Sequence, residues 1–113
     1  MIIETWRISL TSFACRVHRN GETCVLYLSG ELDLAAREVI AAAAASALAD
    51  RRTRRLAVDC VEVTFIDCVM LGVLLDLNAR AAKVGKCLTL RKVPDCMCRL
   101  LALTGAGSAL PRE

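Results

Sequence analysis

Aromatic side chains are nearly missing, with one tryptophan, one tyrosine and two phenylalanines in 113 residues. So few flat rings leave little to stack nucleic-acid bases, and the net charge of +3 is spread along the chain apart from one run, which argues against nucleic-acid binding. That run, Arg51-Arg52-Thr53-Arg54-Arg55, falls where a helix should hand over to a strand. It reads as a solvated loop that also favours the negative end of the helix. No stretch of ~20 consecutive apolar residues exists, so no membrane insertion is expected. The positive mean hydropathy comes from small side chains, above all the alanines at 41–45. Residues 1–7 lack the basic start and long apolar core of a secretion signal, so the expected location is cytoplasmic. Histidine occurs once, at His18, with no companion residues to make it a ligand or a base, and neither a metal nor another cofactor is expected.

Cysteine is in excess. The seven, at positions 15, 24, 60, 68, 87, 96 and 98, are odd in number and mostly fall where a small apolar residue would serve. They read as reduced core residues rather than a disulfide framework. Cys96 and Cys98 form the only close pair, and two residues apart on a helix they point in nearly opposite directions.

Residues 2–10 alternate at Trp6, Ile8 and Leu10, which predicts a short strand or extended arm, taken as residues 1–12, ahead of the domain proper. Residues 13–19 set Phe13, Cys15 and Val17 on one face and Arg16 and His18 on the other, as a strand with one wet side does. Asn20-Gly21 supplies the positive-φ pair of a tight hairpin turn, and residues 24–28, apolar on both faces, predict an inner strand. Ser29-Gly30-Glu31-Leu32-Asp33 reads as the next turn, with Asp33 capping a helix that runs to about Asp50. Its inner stripe of Ala36, Val39, Ile40, Ala43 and Ala47 is small enough to let the helix lie close against a sheet. Residues 55–60 form a short apolar strand, and residues 86–93 a later one near an edge. Pro94 opens a last helix with Met97, Leu100, Leu101 and Thr104 inward and Gly105 closing it, and the residues after Ser108 read as a frayed tail.

This order predicts one α/β domain over residues 13–110, with 111–113 left as a tail. An N-terminal antiparallel hairpin should join parallel strands through right-handed crossovers in a mixed sheet, packed by three to four helices. Open α/β sheets keep their functional edge where parallel strands end and helices begin. Here that edge collects Glu31, Asp33, Asp59, Cys60, Asp67, Cys68 and the segment 94–98.

The organising stretch is residues 63–83, whose first half reads as a loop and whose second half reads as a helix starting at Asp67. A carboxylate there can accept the free N–H groups of the first turn and favours the positive end of the helix dipole. At about 100° per residue, Met70, Leu71, Leu74, Leu77 and Ala81 share one face, while Asp76, Arg80 and Lys83 lie opposite. Asn78 falls within the buried stripe, and a buried amide there should bond a neighbouring loop or strand. Gly85 should end the helix. Val69 and Val73 project on the polar side around Gly72, an apolar patch with no side chain in its middle. Such a patch suits a partner, although scattered exposed valines are also normal.

The segment Phe65-Ile66-Asp67-Cys68-Val69-Met70-Leu71-Gly72, preceded by Leu56-Ala57-Val58-Asp59 and followed by Val73-Leu74-Leu75, resembles the signature of STAS domains, the family of bacterial anti-sigma factor antagonists. The resemblance runs from about Phe13 to Leu110, through Ser29-Gly30-Glu31-Leu32-Asp33 and Val93-Pro94 to Leu103-Thr104-Gly105. The family reads Phe-Ile-Asp-Ser-Ser/Thr-Gly-Leu in this segment, and the serine after the aspartate accepts phosphate from a partner anti-sigma kinase. Here Cys68 replaces that serine, Val69 the second hydroxyl residue and Met70 the glycine.

The resemblance implies a non-catalytic binding module with a STAS-like fold that engages an anti-sigma factor of GHKL kinase type and so releases a sigma factor. Its implied partner-binding residues are Glu31, Asp33, Asp67, Cys68, Val69, Gly72, Val73 and Asp76, with Cys68 as the equivalent of the phosphoacceptor. The phosphorylation chemistry is not implied, because Cys68 has no hydroxyl. Two other readings stay open. One is a STAS subunit of a lipid-transport or stressosome-type complex. The other gives Cys68 a chemical role, as a redox sensor with Cys60, Cys96 and Cys98 as nearby thiols or, in last place, as an enzymatic nucleophile. A homodimer is also left open.

Overall fold

The computed structural model describes residues 13–113, together with the backbone of residues 3–7. Five strands, β1 (Ile3–Arg7), β2 (Phe13–Asn20), β3 (Thr23–Leu32), β4 (Arg55–Ile66) and β5 (Cys87–Arg91), lie in chain order in one sheet. β1, β2 and β3 pair antiparallel, whereas β3, β4 and β5 pair parallel. Parallel neighbours need crossovers, and α1 (Leu34–Ala49) and α2 (Cys68–Lys83) provide them; α3 (Asp95–Thr104) follows β5. The mixed α/β sheet expected from the sequence therefore forms, with three α-helices among the described residues. Of the N-terminal alternation, Ile8 and Leu10 lie outside the described residues, while the backbone of Trp6 pairs in β1 opposite Cys15.

Two parallel strands run further than alternation alone suggests. β3 continues through the predicted turn to Leu32, and β4 continues six residues past Cys60, so that residues 63–66 are strand rather than loop. The cause is a pair of register shifts, between Tyr27 and Ser29 and between Gly30 and Glu31. Each extra residue reverses which side chain faces the core, so Val63 and Ile66 are buried while Val61, Glu62, Thr64 and Phe65 are exposed. A period-2 reading breaks at the first shift. Gly30, at φ 85, supplies the left-handed backbone of the second irregularity, not of a chain reversal. The hairpin before it also differs from expectation. Asn20 stays in β2, paired with Thr23, and Gly21 alone takes a positive φ, 63°, as the first residue of a two-residue turn.

The core lies on one face of the sheet. Phe13, Cys15, Leu26, Leu28, Leu56, Val58, Leu88 and Leu90 meet the inner sides of the helices there. α1 approaches through Ala36, Ala43, Ala44 and Ala47 with Ile40 and Leu48, which adds Ala44 and Leu48 to the predicted stripe and leaves Val39 half-buried. α2 buries Met70, Leu71, Leu74, Leu77 and Ala81, the face its periodicity predicts. α3 buries Met97 and Leu101; Leu100 is only half-buried, and Thr104 is exposed rather than inward, its hydroxyl donating to the Leu100 carbonyl at 2.8 Å in the final turn. On the opposite face of the sheet the Arg16 guanidinium lies 5.2 Å from the Tyr27 ring centroid.

The end of the chain is not frayed. Leu110 is buried, and the backbone of Leu90 donates to Pro111 at 2.8 Å and accepts from Glu113 at 2.9 Å. Residues 111–113 thus cover an edge of β5 that would otherwise present unpaired backbone groups.

Candidate functional site

β3 and β4 end side by side, with Leu32 opposite Ile66, and each hands over at once to a helix. Asp33 caps α1 by accepting the Ala35 N–H at 3.0 Å, and Asp67 caps α2 by accepting the Met70 N–H at 2.9 Å. Both aspartates have extended backbones, as cap residues do. The two caps are linked, because the Asp67 N–H donates to the Leu32 carbonyl at 3.4 Å. Two helix N-termini are thereby set at one edge of the sheet, at the place the sequence indicated. Each carboxylate is engaged as a cap by one backbone N–H.

Cys68 is the first residue of α2 and is exposed. Its proposed companions are placed differently. Cys60 is fully buried, and its thiol is pushed up to about 12, first by burial and then by Asp59 and Cys96 nearby. Burial of this kind disfavours the thiolate of Cys60, the reactive form. Cys96 lies half-buried with its sulfur 3.9 Å from the Val63 carbonyl, and Cys98 turns its sulfur towards the Val93 carbonyl at 3.7 Å. Asp59 also leaves the predicted edge, because β4 runs on past it. It is buried within the sheet, one carboxylate oxygen accepting the Val61 N–H at 3.2 Å and the other without a partner.

Three large apolar side chains are exposed next to the two caps in the chain. Leu34 is 64% exposed, Phe65 49% and Val69 47%, each just before or after a capping aspartate. Sequence reasoning found Val69 and missed the other two. Leu34 lies off the alanine stripe directly after a cap, a signal that was legible, whereas Phe65 fell in a strand read as a loop. Beyond them a groove of about 380 Å³ runs between α1 and α2. Val69, Gly72, Val73 and Asp76, all singled out in the sequence, line its α2 side together with Leu77 and Arg80. Arg37, Glu38 and Ala41 of α1 form the other side and were not anticipated. Asp76 is paired with Arg80 at 3.0 Å, and Arg37 meets Glu38 at 3.9 Å. Glu31 is exposed at the strand end, and neither it nor Asp33 lines the groove.

Parallel strand ends that hand over to two capped helices give the architecture of a STAS domain. A family model described as "Mlab, STAS domain" matches residues 15–111, and the chain belongs to that family. Among solved structures, the chain is similar to the anti-sigma factor antagonist SpoIIAA in its unphosphorylated form, at 21% identity over 88% of this chain and 87% of that one, with a TM-score of 0.75. It is also similar to an anti-sigma factor antagonist from Mycobacterium paratuberculosis, at 23% identity over 89% and 85% of the two chains, with a TM-score of 0.79. The STAS domain of a SulP transporter from Vibrio cholerae is similar at 20% identity over 80% and 70%, with a TM-score of 0.61. At these identities the likeness is one of fold. Curated proteins give no match by sequence.

Proposed function

We propose that this chain is a non-catalytic anti-sigma factor antagonist. It binds an anti-sigma factor of GHKL kinase type and thereby frees a sigma factor, and its binding is not switched by phosphate at the start of α2. The observation that carries this reading is the placement of Cys68, exposed as the first residue of α2 behind the capping Asp67, with the apolar side chains of Leu34, Phe65 and Val69 also exposed next to the two caps in the chain. The resemblance to the family signature makes this the equivalent of the phosphoacceptor position, with a thiol in place of the hydroxyl.

Glu31, Asp33, Asp67, Cys68, Val69, Gly72, Val73 and Asp76 are its proposed contacts, now joined by Leu34 and Phe65. Asp33 and Asp67 act chiefly by holding the two helix starts in place. A second reading, a STAS subunit of a transport complex, draws support from the family model's description and from the likeness to a transporter's STAS domain. Co-purification from the native host separates the two. Recovery of a GHKL-type kinase supports the first reading, and recovery of a transporter ATPase without such a kinase overturns it.

A further inference from the structure

Cations gather at the pole of the molecule opposite the two helix caps. β3, β4 and β5 start level there, with Thr23 opposite Arg55 and Arg55 opposite Cys87, and α1 and α2 both end there. Sequence reasoning found only the arginine run at 51–55. Packing adds Lys83, the last residue of α2, and Lys86, just before β5. The pole lies roughly 30 Å from the helix starts, the length of the ten-residue β3.

The fold does not account for these charges. The negative end of α1, the expected partner of the arginine run, is taken by Lys86, whose Nζ donates to the carbonyls of Leu48 and, at 2.8 Å, of Asp50. Arg52 pairs with Asp50, which Arg19 also meets. Arg51, Arg54, Arg55 and Lys83 stay exposed, and among the described residues none of them has an ion pair or a side-chain hydrogen bond. Glu22 is the exposed acid beside them, its carbonyl accepting the N–H groups of Arg54 and Arg55.

The chemistry of the pole constrains its partner. The loop backbone is engaged inside the molecule, Thr53 donating to Asp50 at 3.1 Å and Arg54 accepting from Cys87 at 3.2 Å, so a partner meets charged side chains rather than backbone. Cations spread over a loop, a strand start and a helix end suit an extended field of phosphates better than a single acidic group, and guanidinium groups match phosphate geometry. Val84, 57% exposed, stands among them. An apolar side chain ringed by cations gains at the boundary between headgroups and acyl chains, whereas a nucleic-acid backbone offers it nothing.

We propose that this pole rests on an anionic phospholipid surface, with Arg51, Arg54, Arg55 and Lys83 against the headgroup phosphates and Val84 at the acyl boundary. The contact is peripheral, as no described helix is long and apolar enough to cross a membrane. It leaves the helix starts at the far pole open to a protein partner, whichever that partner is. Each basic residue near an anionic surface strengthens binding about fivefold, and salt weakens the attraction.

The test is sedimentation of the full chain with vesicles of phosphatidylcholine alone and of an equimolar mixture with phosphatidylglycerol, at low and high salt. Wild type should bind the mixed vesicles at low salt, come off at high salt and ignore the neutral vesicles. Arg51→Gln with Arg54→Gln should bind at least about tenfold more weakly at an unchanged melting temperature. Lys92→Gln with Arg99→Gln, the same loss of charge at exposed positions away from the pole, should bind within about twofold of wild type. Two exposed thiols report the orientation, Cys87 at the pole and Cys68 at the opposite edge. With a water-soluble alkylating agent, Cys87 should label more slowly on mixed vesicles than in solution, and Cys68 at an unchanged rate. Failure to bind mixed vesicles, equal weakening by the two double variants, or protection of Cys68 instead of Cys87 overturns the proposal. So does displacement of the chain from the vesicles by duplex DNA or poly-glutamate at matched charge, which would assign the pole to another class of partner.

Discussion

The backbone N–H of Asp67 meets the carbonyl of Leu32 at 3.4 Å, joining the end of one parallel strand to the cap of the helix that follows the next. Because Leu32 also precedes Asp33, the start of α1 and the start of α2 are positioned by neighbouring backbone atoms. The placement of both helix starts is therefore a product of strand pairing.

Removing a cap should loosen this edge without unfolding the domain. Asp67→Ala loses the bond to Met70 and is expected to lower stability by about 1 kcal/mol in urea denaturation, with Asp67→Asn closer to wild type. A change under a few tenths of a kcal/mol for Asp67→Ala would mean that the cap is dispensable.

α2 is also tied at its far side. Asn78 donates from Nδ2 to the Ala109 carbonyl at 2.9 Å, as expected for an amide near the buried stripe, although the residue is only half-buried. Asn78→Ala should lower stability by about 0.5–1 kcal/mol and raise amide exchange in residues 109–113. Equal exchange in the two proteins would place the anchor of the chain end elsewhere.

The stability profile should have an acid and an alkaline limb. Asp50 accepts from the Arg52 side chain at 2.8 and 3.1 Å, from the Arg52 backbone at 2.9 Å and from Arg19 at 3.0 Å. The Arg52 hydrogen bonds first, and the charges of Arg19 and Arg52 after them, hold its carboxyl well below the usual range. Its folded value lies below the unfolded one, so its contribution is complete above about pH 3.9 and is lost as the pH falls towards the folded value. Cys15 and Cys60 shift the other way. Burial, with a smaller contribution from neighbouring groups, pushes each thiol up to about 12, so that contribution is complete below the unfolded value of about 8.5 and is lost as the pH rises through 12. Urea midpoints should therefore fall below about pH 4 and above about pH 8.5. Asp50→Asn should flatten the acid limb and leave the alkaline one unchanged.

Thiol chemistry separates the cysteines by burial. With a limiting alkylating agent at neutral pH, Cys68 and Cys87, both exposed, should label well before Cys15 and Cys60. Peptide mapping reads the order. If Cys68 labels as slowly as Cys15, its exposure at the start of α2 is wrong, and with it any redox role for that residue.

Periodicity carried much of the fold. The buried face of α2, the alanine face of α1 and both capping aspartates were legible because helix spacing and cap chemistry are local. The ends of β3 and β4 were not, since each register shift reverses the inward face and the alternation at Val61, Glu62, Thr64 and Phe65 ceases to look like a strand. The groove was half legible for a similar reason. Val69, Gly72 and Val73 stand out on one helix, but Arg37, Glu38 and Ala41 join them only through tertiary packing of α1 on α2. Residues 111–113 looked dispensable because three residues carry no period, and their pairing with β5 is long-range.

The central proposal is that this chain binds an anti-sigma factor without control by phosphate at the start of α2. The most direct measurement is a calorimetric titration of the GHKL-type kinase with this chain, before and after incubating the chain with the kinase and ATP, with mass spectrometry on the same samples. The account predicts binding of equal affinity in both titrations and no phosphate on residues 64–72. A phosphate within that segment accompanied by loss of binding, or no binding in either titration, would contradict it.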